Sequence, residues 1–238
     1  MMYRKSLLPV LLLALSTSVT AIGTQQTPAT TISNAPLATV TDLRHMQAIS
    51  GDALAGAGKA AVCVACHGTQ GIAISPMFAN LAGQSASYLY VQLKEFHDGQ
   101  REDPVMIPQV AALNDVDMRD LASYFASLPP KPAGKVQTTS RGAQLYLAGD
   151  PAQGVPPCQG CHGQTGLGPR PNLSSAPQPP WGLFPRLRGQ SSTYLAKQLG
   201  DYKSGVRVGN SNAKVMQGVA QTLSDDDVQA LSSYLSTL

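Results

Sequence analysis

Apolar residues recur at helical spacing through most of the chain beyond residue 50, and the pattern is written twice. From Phe78 the chain reads FANLAGQSASYLYVQLKEFHDGQR, and from Phe184 it reads FPRLRGQSSTYLAKQLGDYKSGVR. Phe, Leu, Gly-Gln-Ser, Tyr-Leu, Gln-Leu, Gly and Arg recur at a constant offset of 106. Tyr88-Leu89 with Gln92-Leu93, and Tyr194-Leu195 with Gln198-Leu199, share one helical face, behind the N-cap candidates Ser85 and Ser191. MIPQVAALNDVDMRDLASYFASL from Met106 then matches MQGVAQTLSDDDVQALSSYLSTL from Met216 at an offset of 110. Here Asn114 and Ser224 stand three residues before Asp117 and Asp227, a variant of the capping box. The stripes Met118, Leu121, Phe125, Leu128 and Val228, Leu231, Leu235, Leu238 follow. One more helix is predicted early in each copy, over about 52–62 and 140–147. No stretch alternates with period two for long enough to predict a strand.

A repeat of this kind predicts an all-α fold of two tandem domains. The predicted divisions are a signal segment (1–21), a flexible leader rich in Thr, Ala, Gln and Pro (22–50), a first domain (51–130), a linker (131–138) and a second domain (139–238). PPKPAG at Pro129–Gly134 punctuates the boundary. The second copy also carries a Pro-rich insertion, PRPNLSSAPQPPWG, predicted as a surface loop and holding the only tryptophan, Trp181.

Composition narrows the reading. With 22 glycines, 18 prolines and 5% aromatics, such domains would form modest cores unaided, a deficit that a large apolar cofactor would fill. Charged residues are 13% and the formal net charge is +3. Arg4 and Lys5 belong to the segment expected to be removed, leaving the rest close to neutral, which argues against nucleic acid as a partner. The N-terminus has that basic start, an apolar run from Leu7 to Leu15, and Val19-Thr20-Ala21 before a cleavage point: the grammar of a secretory signal peptide cut near Ala21. The run is shorter than the ~20 residues of a membrane span. A periplasmic or equivalent location is therefore expected, and in an oxidising compartment four cysteines would by default form two disulfides.

The cysteines argue otherwise. All four lie in CVACH (Cys63–His67) and CQGCH (Cys158–His162), at an offset of 95. Disulfides would not explain a histidine after each second cysteine. Zinc requires a closed tetrahedron of ligands, for which that histidine is poorly placed, and a thioredoxin-like pair requires a βαβ context. Covalent attachment of haem c accounts for every feature. Two cysteines three apart at a helix end form thioethers to one edge of the porphyrin, and the next side chain, His67 or His162, reaches the iron. A sixth ligand is nominated by the repeat: Met106 and Met216 are the only methionines that align between the copies. Met77 and Met118 are expected to be packing residues, and His45 and His97 surface or leader residues. Tyr88/Tyr194 and Arg101/Arg207 are open between partners for haem propionates and helix packing with a solvated cation. Pro76, with Pro169 or Pro171, is expected beside the proximal histidine, a carbonyl there or nearby accepting its Nδ1 hydrogen. Gly83-Gln84 and Gly189-Gln190 are expected to make tight turns under the haem.

From about Gly51 to Leu238 the chain resembles the dihaem cytochromes c4. The resemblance rests on GAGKAAVCVACHG, the doubled F-x-x-L-x-G-Q-S…Y-L…Q-L and the doubled M…L-[SN]-x-x-D…L-x-x-Y. It implies two class I cytochrome c domains with covalent haem held through Cys63, Cys66, His67 and Met106 and through Cys158, Cys161, His162 and Met216. It further implies a periplasmic electron carrier, sometimes membrane-associated at its periphery. Such a carrier takes electrons from an upstream cytochrome or dehydrogenase and delivers them towards haem–copper terminal oxidases such as the cbb3 type. The competing expectation is an enzyme or an enzyme subunit, since dihaem peroxidases and thiosulfate dehydrogenases also carry two such motifs.

Overall fold

The computed structural model describes residues 40–132, 134, 138–168 and 183–238. The predicted signal segment, most of the leader, and the loop with Trp181 lie outside these residues. The described residues form ten α-helices and one 3-10 turn, with two isolated β-bridges and no strand. The first half holds α1 (Ala53–Lys59), α2 (Ala61–His67), α3 (Ala86–His97), α4 (Met106–Val110) and α5 (Asp115–Ser127). The second holds α6 (Arg141–Ala148), a 3-10 turn at Pro151–Gln153, α7 (Gln159–His162), α8 (Ser192–Ser204), α9 (Ser211–Gln221) and α10 (Asp225–Thr237). The all-α expectation holds.

The helices start where their caps predict. Ser85 and Ser191 accept from the N–H groups of Tyr88 and Tyr194. Asn114 with Asp117, and Ser224 with Asp227, form reciprocal capping boxes, each satisfying two amides the helix itself leaves unpaired. The single helix expected over 52–62 is instead two. At Ala60 (φ −76°, ψ −3°) the amide bonds to Ala57 O, a tighter 3-10 step that re-aims the chain, so α2 carries CVACH on its own axis.

The last helix of each half crosses the first at backbone contact. A Cβ on Gly56 would sit 2.1 Å from Asp120 O in α5, and one on Gly142 would sit 2.1 Å from Ala230 O in α10. Only glycine permits that approach. Ion pairs pin both crossings: Lys59 reaches Asp117 and Asp120 at 2.7 Å each, and Arg141 reaches Asp150 at 2.8 Å and Asp227 at 2.9 Å. The predicted stripes are buried: Met118, Leu121 and Phe125 in one core, Val228, Leu231 and Leu235 in the other. Met77, expected to pack, is 66% exposed, because it lies on the loop between α2 and α3 rather than on a helix face.

The repeated polar positions join the halves. Gln84 donates to Arg186 O and accepts from Arg186 N, both at 2.9 Å. Gln190 accepts from Asn80 N at 2.9 Å and donates to Asn80 O at 2.6 Å. Gln84 and Gln190, like Asn80 and Arg186, are 106 apart, so one contact is made twice around a local pseudo-two-fold, as in an isologous dimer interface. The turns expected at Gly83 and Gly189 are present, at φ +67° and +74°, and their following glutamines serve this interface.

The leader is not free over its last eleven residues. Thr41 N donates to Gly209 O at 3.0 Å, Ser211 N donates to Thr41 O at 2.9 Å, and Ile49 N donates to Ser87 Oγ at 3.2 Å. Residues 40–50 thus form a strap across both halves, anchored by the burial of Leu43 (4% exposed) in the first core. Its threonine-rich composition pointed to flexibility, but the backbone groups of Thr41 find partners at the start of α9.

Candidate functional site

The two Cys-x-x-Cys-His motifs sit at equivalent helix ends. His67 and His162 are the last residues of α2 and α7, each followed by a glycine at φ +77°. Both rings are buried, at 9% and 6% exposure. His67 Nδ1 lies 2.8 Å from Ala79 O, and His162 Nδ1 lies 3.0 Å from Pro185 O. A carbonyl only accepts, so Nδ1 carries the proton and Nε2 keeps a bare lone pair. Burial pushes both imidazoles below the ordinary histidine pKa, which keeps them neutral and able to ligate a metal. Burial likewise raises the thiols of Cys63 and Cys158, the latter to about 11. Such sites favour an uncharged sulfur, which a thioether is.

The carbonyl acceptors correct the expectation drawn from proline. Pro76 O instead accepts the hydroxyl of Ser191 across the interface, and Pro169 and Pro171 lie outside the described residues. The signal that identified the true acceptors was present as the repeated Phe78 and Phe184. Their rings stand 6.2 and 6.3 Å from His67 and His162, and in each half the residue after the phenylalanine supplies the carbonyl.

In the second half the predicted residues come together. Cys158, Cys161, His162 and Met216 line one cleft, with the apolar walls usual for cofactor sites. Its walls include Leu223, Leu231 and Leu235 from the same half and Leu43, Tyr88 and Val91 from the strap and α3. In the first half Cys63, Cys66 and His67 ride on α2. Met106 opens α4, its amide held by Asp103 Oδ1 at 3.0 Å. His45 and His97 are exposed, as expected, and His97 faces Asp98 at 2.9 Å.

A buried polar network borders the cleft through Tyr88, Gln92 and Tyr202. Arg101 donates to Gln92 and, at 2.6 Å, to Gln198. Arg207 donates to Gln198 at 2.7 Å, to Gln92 at 2.6 Å and to Tyr88 at 2.7 Å. The arginines are 8% and 5% exposed, and Glu95, the carboxylate between them and Asn210, is 3% exposed. Burial raises the Glu95 carboxyl against the opposing pull of Asn210, Arg207 and Arg101. Two buried guanidinium groups therefore face one carboxylate, and Arg207 Nε and Asn212 Nδ2 are buried without a partner. An apolar cleft lined by one unpaired donor, Asn212 Nδ2, and bordered by a buried network with surplus positive charge fits a flat macrocycle with an anionic edge. The propionate and packing readings of Tyr88 and Arg207 are thus compatible: these side chains pack the interface and leave donors over.

Comparison with known proteins decides the family. The sequence profile described as cytochrome c matches residues 53–129 and 139–238. Cytochrome c4 of Pseudomonas aeruginosa is 40% identical over 200 residues, covering 84% of this chain and 93% of that protein. The chain belongs to the cytochrome c4 family. The crystal structure of reduced recombinant cytochrome c4 from Pseudomonas stutzeri superposes with a TM-score of 0.70 at 38% identity, over 79% of this chain and all of that one. A thiosulfate dehydrogenase electron acceptor of Stutzerimonas stutzeri is 33% identical over 189 residues, covering 77% of this chain and 82% of that protein. As a dihaem c-type cytochrome, the chain binds two haem c groups covalently, one through Cys63 and Cys66 and one through Cys158 and Cys161.

Proposed function

We propose that this family member is an exported, periplasmic electron carrier with His–Met iron in both halves. His67 and Met106 hold the first iron, and His162 and Met216 hold the second. The observation that carries the reading is the cleft that gathers Cys158, Cys161, His162 and Met216, with the histidine already oriented by Pro185 O. The bound haem supplies reversible one-electron chemistry at iron. The protein's part is to hold both axial side chains in place in either oxidation state, exclude water with leucine walls, and neutralise the acidic edge with Arg101 and Arg207. The methionine thioether favours the reduced state relative to a second histidine. An enzyme would need an open iron position with acid–base residues beside it, and both spare histidines are surface residues.

Electrons arrive from an upstream cytochrome or dehydrogenase and leave towards a haem–copper terminal oxidase such as the cbb3 type. The relative named as an acceptor for thiosulfate dehydrogenase favours a dehydrogenase as donor. Charge supports two distinct docking faces: residues 51–130 hold eight Asp/Glu against four Lys/Arg, and residues 139–238 hold five against eight. Complementary charge mainly sets encounter rate.

The test is the spectrum of the dithionite-reduced holoprotein with and without carbon monoxide. Wild type is expected to be unchanged by the gas, and Met106→Ala and Met216→Ala each to shift half of the haem signal. A wild-type shift, or a methionine variant that stays inert, overturns the ligand assignment.

A further inference from the structure

The two methionines are mounted differently. Met106 is the first residue of a five-residue helix whose opening amides, Val105 N and Met106 N, both donate at 3.0 Å to Asp103 Oδ1. That mount is self-contained. Met216 lies within the eleven-residue α9, whose start is capped by its own Asn210 and is held in addition from outside its own half. Ser211 N, the first amide of the helix and one of the donors a helix cannot pair internally, donates to Thr41 O at 2.9 Å. Thr41 N donates to Gly209 O at 3.0 Å, and Leu43 N donates to Ser211 Oγ at 3.1 Å. The Leu43 side chain, 4% exposed, enters the wall of the cleft that Met216 and His162 line. Both stretches matched by the cytochrome c profile begin after these residues.

We propose that Thr41–Leu43 is a positioning element for the second iron's methionine: it fixes the start of α9 and walls the cleft with Leu43, and so keeps Met216 seated and competing ligands out. The proposal rests on the His–Met reading above and adds that one of the two sites depends on a segment outside both domains. Loosening the strap therefore makes the second haem, and not the first, open to added ligands.

The test uses the full holoprotein with Thr41→Pro, which deletes the Thr41 N–H, and Leu43→Ala, which opens the wall. Ser211→Ala, lacking the hydroxyl acceptor, is a milder third variant, and Leu43→Ile is the conservative control. Imidazole entry into the ferric protein and carbon monoxide uptake by the reduced protein are followed spectrally, with both midpoint potentials from a redox titration. Imidazole entry at half of the haem should accelerate about tenfold, the factor expected for loss of one or two hydrogen bonds. One potential should fall, the other should hold, and Leu43→Ile should behave as wild type. The effect should vanish in a Met216→Ala background and persist in Met106→Ala, a double-mutant cycle that locates it. Equal acceleration at both haems, or less than twofold at either in all three variants, overturns the proposal. If Met216→Ala itself leaves the haem closed, the ligand reading fails instead.

Discussion

The two halves are the same device framed alike and furnished differently. Each crosses its first and last helices through a glycine, Gly56 or Gly142, and locks the crossing with a cation on two aspartates. Each orients the histidine of its Cys-x-x-Cys-His motif by the carbonyl after a repeated phenylalanine. The halves part where the methionine is presented: a short helix capped by its own Asp103 in one, and a longer helix held by Asn210, Glu95 and the strap in the other. Duplication kept what every haem site requires, a buried neutral imidazole at a fixed angle. What differs is the mount of the methionine, the sixth ligand on the proposed His–Met reading, and its surrounding charge. On the proposed His–Met reading, a redox titration is expected to resolve two different midpoint potentials.

The common frame is tested most severely at the crossings. Gly56→Ala and Gly142→Ala each push a methyl group into a backbone carbonyl that cannot retreat without moving α5 or α10. Overpacking of that kind costs about 1–3 kcal/mol or more. Denaturant unfolding followed by haem absorbance should show a comparable loss for both. A tolerated Gly142→Ala beside a destructive Gly56→Ala would mean that the frame is shared in sequence only.

Much of this was legible in the sequence, because the signals were local or repeated. Capping boxes are four-residue patterns, and both are present at Asn114/Asp117 and Ser224/Asp227. The haem motif is five residues long and carries its own chemistry. What stayed hidden was long-range. That Gln84 and Gln190 reach across to Arg186 and Asn80 requires the docking of two halves, which no window of one helix contains. Recurrence at 106 marked these positions without saying whether a haem or the other half was the reason. The acceptors Ala79 and Pro185 act through backbone, so their side chains carry no signal. The strap stayed hidden because Thr41 and Leu43 sit in a polar, loop-like stretch whose partners at the start of α9 are distant in sequence.

The interface offers a gentler comparison. Gln84→Ala and Gln190→Ala each strip two hydrogen bonds from a backbone N–H and C=O of the opposite half, at 5% and 7% exposure of the glutamines. Because the groups left behind are part-buried, each should destabilise by about 1–3 kcal/mol. The pseudo-two-fold predicts nearly equal effects, with the double variant less than additive if the first loss already loosens the docking. Thermal unfolding of the three variants measures this. Strongly unequal single losses would show that one half carries the contact and the other follows.

The smallest expected effect is acid sensitivity, and its sign is fixed by the crossings. Hydrogen bonding from Lys59 holds the Asp120 carboxyl below its ordinary pKa, and hydrogen bonding from Arg141 does the same for Asp227. A carboxylate depressed in the folded state contributes stability that is whole above its unfolded value, about 3.9, and is lost as pH falls through the lower, folded value. Unfolding free energy should therefore decline below about pH 4 and be flat above it as far as these groups decide. Asp120→Asn and Asp227→Asn should each be less stable than wild type at neutral pH and lose less on acidification, as read from denaturant midpoints between pH 3 and 7. Asp120 also accepts from Asp52 N at 2.8 Å at the start of α1, whereas Asp227 is tied back to its own cap Ser224. The first substitution should accordingly loosen the helix that leads into CVACH, and the second the helix that closes the other half. If both variants kept the full acid slope of wild type, the ion pairs would be bystanders to the crossings, and the glycine contacts alone would hold them.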